Sequence, residues 1–255
     1  MQMTDNTMLI TCGNSGIGQG LAAAFHDLGN QVIITGRNQQ TLDETVAAHP
    51  GMKAVVLDVA DAADIQRVAA QLIQDYPALN AVIHNAGIMA EEDLKQGQPD
   101  SAEAHVNTNL LGPIRLNSAL LPHLLGQPSA TVMTVTSGLA FVPLSLNPTY
   151  SATKAAIHSY TQAMRYQLQD TNVQVIELVP PYVRTHLQGE RQANDPHAMP
   201  LDEFVAETMA ILSSNPDVSE VLVQRVHAQR FAEKRGEYDA FFKQMNDMLT
   251  AARKS

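Results

Sequence analysis

Short runs rich in β-branched and aliphatic residues alternate with longer amphipathic segments through most of the chain, and this alternation does most to limit the folds open to it. The runs are Met8 to Thr11, Gln31 to Thr35, Lys53 to Leu57, Ala81 to His84, Ala130 to Thr136 and Val173 to Val179. They are apolar on both sets of alternating positions, as strands covered on both faces are. Between them Gly16 to Leu28, Gln39 to Ala48, Asp61 to Asp75, Asp100 to Leu125 and Tyr150 to Gln169 read as helices. The pattern predicts an α/β fold: a Rossmann-type doubly wound parallel sheet in three layers, α/β/α. No linker or shift of composition divides the chain, so residues 1–255 are expected to form a single domain with one core.

Two segments depart from the alternation. Residues 184–200 are polar, contain proline and follow a strand's carboxyl end, which predicts a mobile substrate lid. Residues 227–255 form a helical tail in which Tyr238, Phe241, Phe242, Met245, Met248 and Leu249 recur at helical spacing. Such a stripe packs on its own domain, forms a dimer face or covers a pocket, and the sequence leaves all three open.

The formal net charge of -10, with no Lys/Arg cluster interleaved with aromatics, argues against a nucleic-acid partner. One cysteine, Cys12, excludes an internal disulfide and a Cys-rich zinc site, and fits the reducing cytoplasm. Nine histidines lie scattered without a His-Glu-x-x-His pattern, so no protein-bound metal is expected. Met1 to Thr7 lacks the layout of a secretory signal, and no run approaches the ~18 apolar residues of a spanning helix, so no membrane association is expected.

The chemistry gathers at two places. Thr11-Cys12-Gly13-Asn14-Ser15-Gly16-Ile17-Gly18 follows the first strand and opens the first helix, where backbone N–H groups and the helix dipole suit a pyrophosphate. A glycine-rich turn without a ligand is the plainer alternative. At the end of the second strand stands Thr35-Gly36-Arg37-Asn38, with no carboxylate to bind ribose hydroxyls. Arg37 suits a bidentate pair with a 2′-phosphate, which predicts NADP(H) as the preferred cofactor, with NAD(H) possible; otherwise Arg37 is an exposed charge on a turn. Farther on, Tyr150-Ser-Ala-Thr-Lys154 places a phenol and an ammonium one helical turn apart on one face. A phenol of pKa ~10 needs such a cation to work near neutrality. The plainer alternative is a helix cap followed by a solvated lysine.

Taken together, these motifs resemble the short-chain dehydrogenase/reductase family from about Thr7 to Thr185. The turn is similar to its Thr-Gly-x-x-x-Gly-x-Gly, Asp58-Val59 to its adenine-contacting pair, His84-Asn85-Ala86-Gly87 to its Asn-Asn-Ala-Gly, and Pro180 to Thr185 to its Pro-Gly-x-x-x-Thr. Asn109, Ser137, Tyr150 and Lys154 match its catalytic tetrad. The resemblance implies that Ser137 polarises a carbonyl oxygen, Tyr150 donates the proton, Lys154 lowers the tyrosine pKa and binds the nicotinamide ribose, and Asn109 fixes a helix kink and a water in a proton relay. It also implies that Gly13, Asn14, Ser15, Gly16, Ile17, Gly18, Arg37, Asn38, Asp58, Val59, Asn85, Ala86, Gly87, Pro180, Val183 and Thr185 line the dinucleotide, and that the chain forms a homodimer or homotetramer through its long helices. Cys12 replaces the first turn glycine, where Gly13 beside it is expected to absorb the change. His84 and Pro181 are shared with the DltE-type branch.

The implied activity is that of an NADP(H)-dependent carbonyl reductase or alcohol dehydrogenase acting on a small-molecule substrate. Met89, Leu139, Phe141, Val142, Leu144, Tyr182 and Leu187 are expected around the site, which suits a hydrophobic ketone or aldehyde; several could instead be core. Two rivals stand beside this one: a non-redox relative such as a dehalogenase, and a protein that senses NADPH without turning over.

Overall fold

A computed structural model describes residues 1–97 and 99–251. Along the chain come β1 (Thr7–Thr11), α1 (Gly16–Asp27), β2 (Gln31–Gly36), α2 (Gln39–Ala48), β3 (Lys53–Val56), α3 (Ala62–Asp75) and β4 (Leu79–His84). There follow α4 (Pro99–His105), α5 (Gly112–Leu125), β5 (Ala130–Val135), α6 (Pro148–Gln167) and β6 (Val173–Val179). The chain then forms α7 (Glu190–Ala193), α8 (Leu201–Ser214), β7 (Glu220–Leu222), α9 (His227–Phe231) and α10 (Tyr238–Ala251).

The strands form one parallel sheet in the order β3-β2-β1-β4-β5-β6-β7. The order in which strands are added reverses between β1 and β4, which opens a crevice at their carboxyl ends. All six residues of β5 are buried, as expected of a central strand sandwiched between helices. One apolar layer joins Phe25, Ile34, Met133, Leu178 and Phe204; the other joins Leu9, Ile65, Leu72, Leu116 and Val132. Capping side chains set helix starts: the Asp61 carboxylate accepts from the N–H groups of Ala63 and Asp64 at 2.8 and 3.2 Å to open α3.

The fold differs from expectation in the second half. The helix predicted over Asp100 to Leu125 is interrupted by a π-helical stretch, Val106–Leu111, that separates α4 from α5. A helix absent from the sequence prediction, α8, packs against α1, with Val205 directly over Gly20. Residues 184–200 include the one-turn α7, and a bridge between Val183 and Met199 ties the segment's two ends together. Ala198 and Met199 are buried, so its distal end is anchored in the core. The tail forms α9 and α10, and residues 252–255 of it lie outside the described residues. Among the described residues, no helix is long and apolar enough to cross a membrane.

Candidate active site

A cleft of about 370 Å³ opens at the carboxyl ends of the central strands. Ser137, Tyr150 and Lys154 meet in it with Ser15, Gly16, Ile17, Asn85, Gly87, Pro180, Val183 and Thr185. Ser137 follows β5, where its Oγ accepts from the Leu139 N–H at 3.1 Å. Tyr150 and Lys154 come from the first turns of α6, started by Pro148. The Asn147 side chain, wholly buried before that helix, donates to the Ala90 carbonyl at 2.6 Å, and Glu92 accepts from the Thr149 N–H at 2.9 Å. These two bonds hold the start of α6 against the loop after β4.

Burial dominates the acid–base state of the pair. It pushes the Tyr150 phenol up to about 12, while its interaction with the Ser137 hydroxyl acts in the opposite sense. Burial also pushes Lys154 down to about 8. Lys154 Nζ donates to the Val135 carbonyl at 2.8 Å and lies 5.6 Å from the centre of the Tyr150 ring. For Tyr150, withdrawal from water outweighs the Ser137 hydroxyl's opposing effect. The phenol is firmly protonated at neutrality.

Asn109 lies within the π-helical stretch and is buried. Its Oδ1 accepts from the Ile88 N–H at 2.9 Å, and its Nδ2 donates to the Ile88 carbonyl at 2.9 Å and to Thr153 Oγ1 at 3.2 Å. A side chain satisfying another segment's backbone in both directions accounts for the local break in helical repeat. A side chain on Gly87 would stand 3.5 Å from Asn109 Oδ1 and 3.8 Å from Lys154 Nζ, so the absent Cβ leaves a path between them.

Gly16 has φ +50°, and the N-cap Ser15 is exposed with no side-chain capping bond, leaving the first N–H groups of α1 turned toward the cleft. Cys12 also adopts the left-handed region, at φ +53°. Beside it, Gly13 has to be bare because a side chain there would strike Ile34. Thr11, missed as a site residue, accepts at Oγ1 from the N–H groups of Asn85 and Ala86, both at 2.9 Å. Asn85 returns two bonds from Nδ2 to the carbonyls of Thr11 and Cys12, at 3.0 and 3.2 Å, and Gly18 is bare because these groups fill its side-chain position. The turn and the end of β4 are thus one unit.

Other predicted residues lie beyond the cleft lining. Asn38 caps α2 with its Oδ1, and Arg37 beside it is exposed. Asn14 donates to Thr41 Oγ1 at 2.6 Å against Gly36, and its own Oδ1 is buried without a protein partner, as is Thr35 Oγ1. Two orphaned acceptors at the end of β2 fit a ligand rich in hydroxyl donors. Asp58 accepts from the Ala60 N–H at 2.9 Å in the turn after β3, and Val59 is buried against Gly112.

A second cavity of about 310 Å³ adjoins Ser137 and Tyr150. Met89, Leu139, Leu144, Tyr182 and Leu187 line it as expected, but Phe141 and Val142 do not. Val142 is core, and the Phe141 ring lies between His158, 4.7 Å away, and the Arg230 guanidinium, 4.6 Å away. Phe241, Met245, Met248 and Leu249 from α10 close the far side. Four of the six residues in the tail's apolar stripe thus face this cavity. Asn246 fixes the helix there by accepting from the Ser145 N–H at 2.6 Å and donating to the Pro143 carbonyl at 3.2 Å. Gln192, also unforeseen, ties α7 to Val183 and Thr185 at 2.7 and 3.3 Å.

Residues 6–196 match the model of the short chain dehydrogenase family. An uncharacterized oxidoreductase, DltE, of Bacillus subtilis (strain 168) is 40% identical over 253 residues, covering 96% of this chain and 98% of the relative. Among solved structures, a short chain dehydrogenase from Burkholderia cenocepacia J2315 in complex with NADP superposes with a TM-score of 0.80 at 24% identity, over 95% of this chain and 99% of that one. A short chain dehydrogenase/reductase from Burkholderia phymatum in complex with NAD has a TM-score of 0.80 at 19% identity, covering 96% and 97%.

Proposed function

The chain belongs to the short chain dehydrogenase family, in its DltE-type branch, and from that premise we propose that it is an NADP(H)-dependent carbonyl reductase or alcohol dehydrogenase. The single observation that carries the proposal is the convergence of Ser137, Tyr150 and Lys154 in one cleft that continues to the open amino end of α1. The residues present fit a nicotinamide dinucleotide. Free N–H groups and a glycine at positive φ suit its pyrophosphate, the orphaned acceptors at the end of β2 suit its ribose hydroxyls, and the exposed Arg37 suits a 2′-phosphate. The solved relatives carry either NADP or NAD, so preference for the phosphorylated form rests on Arg37 and the missing carboxylate. When bound, the nicotinamide gives or accepts a hydride.

The protein's own groups do the rest. Tyr150 holds a proton at its hydroxyl and delivers it to a carbonyl oxygen that is gaining negative charge. Ser137 adds a second hydroxyl donor at that oxygen. Lys154 keeps positive charge beneath the phenol, and Asn109, locked to Ile88 and Thr153, keeps α6 in place behind it. The apolar cavity under α10 takes a hydrophobic substituent of the ketone or aldehyde. Assembly as a homodimer or homotetramer through α5 and α6 rests on the family resemblance, and the lone free cysteine is consistent with the cytoplasm. A panel of ketones and aldehydes assayed with both nicotinamides tests the proposal: turnover dependent on Tyr150 and faster with NADPH supports it. Tight NADPH binding with no turnover across the panel would instead favour the sensing protein.

A further inference from the structure

At the end of the sheet opposite the cleft, the last turn of α1 and the residue capping the C-terminus of α2 bring together His26, Asp27 and His49. One possible ligand atom from each lies within 4.8 Å of the others. In sequence the two histidines are merely two of nine scattered ones; the fold makes them neighbours, with ring centres 5.7 Å apart and planes at 67°. From this geometry we propose that His26, Asp27 and His49 bind a divalent transition ion of the zinc type, a site independent of the nicotinamide cleft.

The argument turns on where protons can be. His26 Nε2 lies 3.1 Å from the Pro50 carbonyl, which can only accept, so Nε2 carries the hydrogen. In the neutral ring Nδ1 then presents a lone pair. That atom is buried without a protein hydrogen-bond donor and lies 3.7 Å from the Asp27 carboxylate, another acceptor. A lone pair on a buried Nδ1 beside an exposed carboxylate is an arrangement that a cation can bridge. A metal-binding imidazole characteristically gives its other N–H to a backbone carbonyl, which is the part Pro50 plays here.

The surroundings favour positive charge as well. The negative ends of two helix dipoles, those of α1 and α2, converge on the cluster. The turn that presents His49 and the Pro50 carbonyl is fixed by Gly51, at φ +103°, whose carbonyl accepts from Gln31 Nε2 at 3.1 Å. Two imidazoles and one carboxylate are the borderline donors that select zinc, cobalt or nickel over magnesium or calcium, and exposure of Asp27 leaves room for water as the fourth ligand. An ion here would join α1 to α2 and brace the half of the sheet that carries the glycine turn.

Calorimetric titration of the full-length protein with Zn2+, alongside His26→Asn and His49→Asn, tests the site. We expect one ion per chain, at least tenfold weaker binding in each variant, and a rise in Tm on the order of 5 °C for wild type at zinc about 100-fold above Kd. A visible Co2+ spectrum of tetrahedral type, lost in both variants while their circular dichroism stays native, is the second readout. Absence of stoichiometric binding would overturn the proposal. Binding undiminished in the variants would overturn it equally, by placing the ion elsewhere.

Discussion

Lys154 Nζ donates to the Val135 carbonyl at 2.8 Å while lying 5.6 Å from the centre of the Tyr150 ring, so one backbone bond holds the cation over the phenol ring. Burial pushes Lys154 down to about 8, within reach of ordinary assays. Carbonyl reduction should therefore slow as pH rises through about 8, when the ammonium that supports the departing phenolic proton is lost. A profile of kcat for NADPH oxidation, flat to about pH 10, would remove this role from Lys154. Tyr150→Phe should lose on the order of a hundredfold or more in kcat throughout, with NADPH binding retained.

The same burial makes Lys154 a cost to folding, with a sign fixed by its direction of shift. Below about pH 8 both folded and unfolded chains carry the charge, and the penalty is complete. Between there and the ordinary lysine value near 10.5 only the unfolded chain keeps its proton, so stability rises with pH, by a total on the order of 3 kcal/mol. Tyr150, pushed up to about 12, acts in the other direction above about pH 10, where the unfolded phenol ionises first. Lys154→Met should thus be more stable than wild type at neutrality and lack the rise between about pH 8 and 10. Urea unfolding at several pH values measures both.

Arg37 is exposed beside the helix cap Asn38, with no acidic side chain at the end of β2. Replacing it with Ala should raise KM for NADPH about 10- to 100-fold, the loss of charge-assisted bonds to a 2′-phosphate, and leave KM for NADH nearly unchanged. Equal changes with the two cofactors would return Arg37 to being a surface charge.

Cys12 holds φ +53° at the mouth of the cleft, a conformation that costs an L-residue roughly 1–2 kcal/mol. Cys12→Gly should raise Tm by a few degrees, and a melt that is unchanged or lower would show the strain to be absent. In wild type, NADPH should protect the thiol from alkylation, since Cys12 lines the same cleft.

Much of this architecture is legible in the sequence, for reasons that also explain what is not. Val173–Val179 reads as a strand because a buried parallel strand is largely apolar on both faces, and Gln39–Ala48 as a helix because a longer amphipathic segment follows a strand. The π-helical break at Asn109 is invisible to periodicity, and only the family resemblance implies a kink there, because it comes from bonds to Ile88, distant in sequence. The α8 helix is hidden in a stretch whose burial depends on α1 alongside it. Phe141 and Val142 look like pocket residues until Arg230 and His158 claim the ring. The state of Tyr150 is likewise unreadable from spacing, since its pKa is set by exclusion of water.

The wall contributed by α10 makes a size-dependent prediction. Phe241 and Met245 face the cavity beside Ser137 and Tyr150, and Asn246, next to Met245, holds the helix to Pro143 and Ser145. If the hydrophobic arm of the substrate lies against this wall, Phe241→Ala or Met245→Ala removes contact worth about 1.5–3 kcal/mol. The value of kcat/KM for bulky apolar ketones should fall about 10- to 100-fold, while the smallest ketones, which stop short of the wall, are little affected and KM for NADPH does not move. Comparing a short and a long ketone in each variant decides the point, because a helix that merely supported the fold would weaken both alike.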